Sequence, residues 1–295
     1  MLAIIGQSVV NGLMQGALIA LPALGLTLMF SVLGFVNFSV AAQMTVGAYA
    51  GWLVNSQLQW PFATTLPIAF LAAGLFGVLT DRFALAPVRA RSGGQGPLMV
   101  AVVSIALNLA IESALRFSFG NDLQSYDIAV TRDFRFAGLL FGPQELLNVA
   151  VALLAAVALA AFFTRTRLGK AMRAVADNAD LARLKGIMPN RLANLATFIA
   201  MGLAGLGGAL LVATTNVDPS TGSRLVLVVF AASVVGGLTS VPGAVLGALL
   251  VGVAGELSLL VISPVYKSVI AFLAILLVLL IRPNGLFAGI AGMRR

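Results

Sequence analysis

The chain has 295 residues, of which 60% are hydrophobic and only 9% charged, and its mean hydropathy is +1.04. A soluble domain carries about 25% charged residues, so this chain has too few polar side chains to coat a water-facing surface. Its net charge of +8 comes from 18 basic residues scattered among apolar runs, unlike the dense basic faces of nucleic-acid binders, and the absence of Cys and His removes thiolate and imidazole metal sites and His-based triads.

Asp81 is the first Asp, Glu, Lys or Arg in the chain. A membrane crossing takes about 20 apolar residues. Apolar runs fall at about 8–31, 40–58, 62–80, 97–118, 146–163, 193–215, 225–240, 244–262 and 267–282. The expectation is an all-α, polytopic integral membrane bundle of about eight or nine segments, some possible as discontinuous helices, forming one transmembrane domain over 1–295. The runs at 40–58 and 225–240 are short and Gly-rich, which fits half-helices that dip in without crossing as well as full spans. The N-terminus lacks a basic n-region and its apolar stretch outruns an h-region, so it does not read as a cleavable signal peptide.

Basic residues orient the chain. Arg82, Arg89 and Arg91, then Arg165, Arg167, Lys170, Arg173, Arg183, Lys185 and Arg191, then Arg282, Arg294 and Arg295 make 13 of the 18. Segment 119–145 instead sets Arg132 and Arg135 against Asp122, Asp127, Asp133 and Glu145, and 216–224 sets Arg224 against Asp218. The basic segments are therefore expected in the cytoplasm, the C-terminus included. They alternate correctly if 225–240 and 244–262 each cross; if only one of them crossed, the C-terminal Arg pair would land outside. The N-terminus is then outside if 40–58 crosses and inside if it does not.

Polar groups at membrane depth favour a bundle interior or a solute path. Asn37, Phe38 and Ser39 precede a short segment, as at a broken helix whose freed backbone groups can hold a solute. Gln43, Thr45 and Tyr49 follow. Asn108, Glu112 and Arg116 form a second group, the last two spaced to pair on one helix face. Glu256 reads as the most buried acid, and a carboxylate at the bilayer centre costs about 2.5–3.5 kcal/mol. Helix-to-helix hydrogen bonding explains Asn37 to Tyr49 at least as well as solute contact does. Glu112 and Arg116 lie near the outer end of their span and read as a pair at headgroup level, and Glu256 reads as a structural hydrogen-bonding group ahead of a solute contact. Gly12–Gly16, Gly47–Gly51 and Gly243–Gly247 have GxxxG spacing, and Gly202, Gly205, Gly207 and Gly208 share one run, which points to close helix packing.

Segment 164–192 is the longest polar stretch on the inner side. Ala171, Ala174, Val175, Ala179 and Ala182 form a small apolar stripe. Asn178 or Asp177 caps a second short helix running to Lys185, Gly186 stops it, and Pro189 forbids continuation. Two short helices there read either as a docking knob or as a connector on lipid headgroups.

The loop pattern T-x-x-G-x-A-x-R-A-x-x-x-N-x-x-x-A-x-x-x-G-I, met by Thr166, Gly169, Ala171, Arg173, Ala174, Asn178, Ala182, Gly186 and Ile187, resembles the coupling segment of bacterial branched-chain amino acid ABC transporter permeases of the LivH/LivM type. Further stretches agree in order: Asn37-Phe38-Ser39 with Gly47-Ala48-Tyr49, Gly236 to Ala244 with Gly247, Gly252 and Glu256, and Tyr266-Lys267 with Arg282 to Phe287. The resemblance implies an inner-membrane importer subunit that binds no cofactor itself. It implies a second permease subunit, commonly a heterodimeric one, two cytoplasmic ATPases carrying ATP and Mg, and a periplasmic solute-binding protein. Residues 166–187 would dock an ATPase, and Asn37, Phe38, Ser39, Gln43, Thr45, Tyr49, Asn108 and Glu256 would be path candidates. The chain has no phosphate-binding G-x-x-x-x-G-K-[ST] loop, since Ala171 follows Gly169-Lys170 and Thr164 stands where the first Gly belongs.

The sequence departs from the family pattern N-F-[AS]-H-G-[ED] at Val40, Ala41 and Ala42. This leaves the solute open among branched-chain or related amino acids, urea, short amides and aromatic acids. An ion-coupled transporter or channel is the competing class, and it has few intramembrane charges to work with. An intramembrane enzyme would lack His, Cys and a carboxylate pair.

Overall fold

Helix α1 (Leu2–Leu33) enters first and is followed, after a break at 34–39, by α2 (Val40–Trp52), which runs on through a π-helical turn at Leu53–Gln57. The computed structural model describes residues 2–91, 96–128, 134–136 and 139–287. Next come α3 (Phe62–Thr80), a second π turn at Asp81–Leu85, α4 (Ala86–Arg91) and α5 (Gly96–Phe119). A two-stranded antiparallel hairpin, β1 (Phe134–Phe136) and β2 (Leu139–Phe141), precedes α6 (Pro143–Arg165). Two short helices, α7 (Arg167–Asp177) and α8 (Ala179–Leu184), lead to α9 (Pro189–Val212), α10 (Thr221–Gly236), α11 (Val241–Ser258) and α12 (Lys267–Ile281).

Each apolar run read from the sequence is largely helical. Among the described residues six helices are long and apolar enough to cross a membrane, and Thr221–Gly236 and Ser268–Ile281 are shorter apolar helices. Burial separates them. The apolar windows of α1 and α9 are 78% buried, whereas those of α5 and α6 are 22% buried. A helix apolar all round must be covered all round, and α1 and α9 are covered by protein while α5 and α6 leave most of their surface for lipid.

Glycine makes the central contacts. A Cβ on Gly25 would collide with the Ala200 carbonyl, on Gly208 with the Met44 carbonyl, and on Gly205 with the Ala73 side chain. Gly207 lies against Pro22, and Gly202 against the Phe70 ring. Helix α9 thus touches α1, α2 and α3 at backbone distance, each through its own small residues. The α1–α11 contact uses the same device, with Gly12 and Gly16 against Ala248, Leu249, Gly252 and Val253. The Gly236-to-Ala244 turn is a close-packed corner, in which a Cβ on Gly236 would strike the Gly243 carbonyl and Gly285 stacks on Gly237.

The contacts also sort the two ends of the bundle. At one end the Arg89 guanidinium lies 5.4 Å from the Phe35 ring, Ser31 reaches the Leu238 carbonyl, and the Leu286 amide donates to Val235. Segments 81–91 and 164–192 and Arg282 gather there. At the other end Gln7 exchanges two hydrogen bonds with Leu140, Ser56 reaches Ser125, and Gln124 pairs with Val217. So segment 217–238, which contains α10, leads from that end to the basic end, and α11 leads back from it. Helix α2 starts part-way along the bundle, its Gln43 facing Thr80 inside the continuous helical stretch Phe62–Arg91, and reaches the far end, where Phe62 at the start of α3 packs on the cluster that holds Trp52. The α1 N-terminus lies at the end opposite the basic segments. Arg132, Asp133, Arg294 and Arg295 lie outside the described residues.

The glycine contacts set a prediction. Gly208→Val puts a branched side chain into the α2 backbone and is expected to destabilise by about 1–3 kcal/mol or more through overpacking. Gly6→Ala meets only the Leu139 side chain at 3.5 Å and should fall within about 0.5 kcal/mol of the parent. Thermal unfolding of detergent-purified protein, followed by helical circular dichroism, checks both, and equal stability of the two variants would remove the central role given to α9.

Candidate functional site

Two sets of residues stand out, one at the break between α1 and α2 and one in α7 and α8. Asn37 organises the break. Its Oδ1 accepts from the Ser39 amide at 3.0 Å and from the Ser39 hydroxyl at 2.7 Å. This side-chain turn replaces the backbone bonds lost when α1 ends. The Phe38 amide donates to Ser104 Oγ at 2.9 Å, and the Phe38 ring packs 5.6 Å from Phe230. The broken segment is therefore held between α5 and α10.

The first turns of α2 then meet the start of α10. Thr45 Oγ1 accepts from the Gly222 amide at 3.0 Å, and a Cβ on Gly222 would strike the Ala41 carbonyl. Asn108 Nδ2 donates to Ser223 Oγ at 3.0 Å, and Ser223 in turn donates to Glu112 at 2.6 Å. Arg116 closes the chain on Glu112 at 2.6 Å. So Asn37, Phe38, Ser39, Thr45 and Asn108 surround one junction of α2, α5 and α10. Gln43 faces α3 instead, 3.5 Å from Thr80 Oγ1. Tyr49 stacks on Phe119 with ring centres 4.7 Å apart.

The junction is closed to solvent and incompletely satisfied. Asn37 is 1% exposed, and Ser39 and Gln43 are fully buried. Asn37 Nδ2, Gln43 Oε1, the Tyr49 hydroxyl and Asn108 Oδ1 are buried without a hydrogen-bond partner. Leaving such a group unpaired costs about 1–3 kcal/mol; Asn37 and Asn108 belong to the junction, while Gln43 faces α3 and Tyr49 lies further along α2. Asn37, Phe38, Ser39, Gln43, Thr45, Tyr49 and Asn108 are all neutral, and they offer amide and hydroxyl groups. Val40, Ala41 and Ala42 are buried beside them and form an apolar wall.

Glu256 is not part of this junction. It is half-buried in the last turn of α11, the helix that packs on α1, at the end away from the basic segments. The most buried acids are instead Asp81, 2% exposed, and Asp218, 6% exposed. Each is covered because an arginine pairs with it. Arg89 grips Asp81 through both oxygens at 3.0 and 3.1 Å, and Arg224 pairs with Asp218. The sequence hid both because their partners lie 8 and 6 residues on, outside helical pair spacing. Thr27 and Thr197 are further buried hydroxyls without a partner, and their only signal was a polar residue inside an apolar run.

In α7 and α8 the motif residues shape the chain. Thr166 caps α7, accepting from the Gly169 amide at 3.0 Å and donating to the Phe162 carbonyl at 2.7 Å. Gly169 leaves room for Phe162 and Phe163, where a Cβ would overlap the backbone. Of the two candidates for capping α8, Asn178 does so, its Oδ1 accepting from the Leu181 amide at 2.9 Å. The end of α8 is a Schellman turn, with Gly186 N–H to Arg183 and Ile187 N–H to Ala182. Gly186 has φ +78°, a value that strains any other residue. Met172, Val175 and Ala182 are buried, while Ala171, Ala174 and Ala179 of the expected stripe are only half-buried. Met172 is the anchor that the small-residue stripe did not announce. Outward stand Leu168, Leu181, Leu184 and Met188, Leu184 with 84% of its surface open. Capped at each join and anchored beneath, the two helices present apolar side chains among Arg183, Lys185 and Asp180.

A family model described as the branched-chain amino acid transport system / permease component matches residues 8–279. The high-affinity branched-chain amino acid transport system permease protein BraD of Pseudomonas aeruginosa is 31% identical over 95% of this chain and 94% of its own length. The corresponding LivH of Escherichia coli is 29% identical, again over 95% and 94%. A probable LivH of Methanocaldococcus jannaschii is 29% identical over 91% of this chain and 88% of its own.

Two groups at the end opposite the basic segments titrate abnormally. Burial holds the Tyr126 phenol above its ordinary value of 10.0, and its hydroxyl donates to the Ala48 carbonyl at 2.8 Å. Burial pushes the Asp218 carboxyl upward, but hydrogen bonds from Ser220 and the Arg224 charge outweigh it, so the net shift is below the ordinary 3.8. A carboxyl with a lowered folded pKa stabilises the fold above its unfolded pKa, and that contribution disappears as pH falls through the folded value. Wild type should therefore lose a component of stability on acidification below about pH 4 that Asp218→Asn lacks. Thermal unfolding of both from pH 7 to pH 3 checks this, and parallel curves would refute it.

Proposed function

Because the chain belongs to the branched-chain amino acid transport permease family, we propose that it is the membrane subunit of an ATP-driven importer, with its solute path at the α2–α5–α10 junction and its motor contact on α7 and α8. The observation that carries the motor contact is the rigid, doubly capped pair of helices that sets Leu181 and Leu184 outward at the basic end. An exposed apolar patch ringed by charge marks an interaction surface. The positive-inside rule places that end in the cytoplasm, with Arg282 and the C-terminus there and the α1 N-terminus outside. The chain has no phosphate-binding loop of its own, so ATP and Mg belong on separate ATPase subunits. A second permease subunit completes the path, and a binding protein delivers solute from outside.

Reconstitution in vesicles with the cognate ATPases, second permease and binding protein should give ATP-dependent uptake, and the lone chain should give none. Leu181→Asp with Leu184→Asp should cut uptake about tenfold or more, as loss of a buried interface anchor does, while the purified subunit unfolds at the parent temperature. Undiminished uptake in that double variant would refute the docking surface and favour a connector lying on headgroups.

The apolar wall at Val40, Ala41 and Ala42, with the nearby Glu112 carboxylate already held by Ser223 and Arg116, favours a second reading of the solute. A branched-chain amino acid carries both an ammonium and a carboxylate, and buried charges require charged or multiple polar partners. Asn37, Ser39, Gln43, Thr45, Tyr49 and Asn108 supply hydrogen bonds without charge, which suits urea or a short amide. Competition of leucine, urea, a short amide and an aromatic acid for uptake separates these readings. Leucine alone competing establishes the amino-acid reading, and competition by the amide without leucine establishes the other.

A further inference from the structure

An apolar groove of about 620 Å³ opens between α1, α6, α7 and α11 at the basic end. Its walls include Leu28, Val32, Leu153, Val157 and Leu246. Only Ser31, Thr164 and Arg173 bring polar side chains to it, and no acid lines it. Two of the three are already engaged. Thr164 donates to the Ala160 carbonyl at 2.9 Å, and Ser31 reaches the Leu238 carbonyl at 3.5 Å. Arg173 differs. Its Nε is buried and has no acceptor, and no carboxylate pairs with it among the described residues.

We propose that this groove binds an anionic phospholipid, one acyl chain lying against α1 and α6 and the headgroup phosphate accepting from Arg173. The chemistry is complementary at both ends. An apolar channel open to the bilayer takes a hydrocarbon chain without desolvating anything. A guanidinium with an unmet donor takes a phosphate oxygen, and Arg suits phosphate because its N–H groups form a fork. Basic pockets between membrane helices bind anionic headgroups for this reason. A polypeptide segment fits less well, because it would have to carry one buried acid to Arg173 on an otherwise apolar face. Met172 and Arg173 place α7 in the wall of the groove, so the lipid would bear directly on the helix that carries the motor contact.

The test uses the full chain in detergent and native mass spectrometry, with added phosphatidylglycerol or phosphatidylcholine of the same acyl chains. Wild type should retain phosphatidylglycerol about fivefold better, the contribution of one arginine near an anionic headgroup. Arg173→Gln should bring the ratio to about one while still taking up lipid. Ala156→Trp, which fills the groove from α6 and leaves Arg173 intact, should lower retention of both lipids. Phosphatidylglycerol with a photoreactive group at the chain end should label residues 153–164 or 241–246. Equal retention of the two lipids by wild type, an unchanged ratio in Arg173→Gln, or labelling spread over α3, α5 and α12 overturns the proposal. So does a second copy of the chain filling the groove to the exclusion of lipid. None of these readouts involves solute or ATP, so the lipid site is judged separately from the transport reading.

Discussion

Backbone-to-backbone contact around α9 is the constraint on which the rest of this structure depends. In lipid no hydrophobic force draws one apolar helix to another, because acyl chains solvate leucine as well as protein does. What remains is dispersion, which falls steeply with distance, and weak polar contact. Small residues shorten the distance. Gly205 and Gly208 let α2 and α3 reach α9, and Gly25 and Gly207 let α1 do so from another side. Once α1 is seated, Gly12 and Gly16 bring in α11, and Gly247 with Gly236 brings in α10. The bundle grows outward from one helix by successive close approaches, and its lipid-facing members are the helices that no glycine row anchors.

That tight centre makes a polar, partly unsatisfied junction tolerable. A chain that must stop α1, reverse and restart as α2 inside the bundle exposes backbone groups where water cannot serve them. Asn37, Ser39 and Ser104 satisfy part of that demand. Asn37 Nδ2 and Asn108 Oδ1 are buried there without a protein partner, a cost that the close packing around them offsets.

Much of this was legible in the sequence. Each apolar run is largely helical, and the charge pattern, which fits crossings at both 225–240 and 244–262, agrees with α10 ending and α11 starting at the basic end. The cap of α8 was narrowed to two residues, and the stop at Gly186 followed from glycine's access to positive φ. What escaped were facts that depend on how helices face one another. Where the short 40–58 run sits turned on Gln43 facing Thr80 and on Phe62 packing on the cluster that holds Trp52, pairings that no local pattern encodes. Glu256 looked deep because its surroundings in sequence are apolar, but α11 ends two residues later at Ser258. Asp81 and Asp218 looked like loop charges, but each is buried under an arginine outside helical spacing. Met172 anchors α7 although the alanines around it drew the eye.

Helix α7 is seated on the helices that lead to the break. Met172 is fully buried, and α7 borders the same groove as α1 and α11, so it stands at the basic ends of the two helices joined by the Gly12–Gly16 contact. Such interiors are close-packed and resist local deformation. Helices α7, α1 and α11 therefore share one packed wall. The residues that leave α1 stand at the end of that wall, since Leu33 is followed within a few positions by Asn37 and the start of α2. Caps at Thr166, Asn178 and Gly186 fix the two short helices against it, because a helix whose end groups are satisfied does not fray. The break between α1 and α2 is held differently, by a few side-chain hydrogen bonds rather than by close backbone contact.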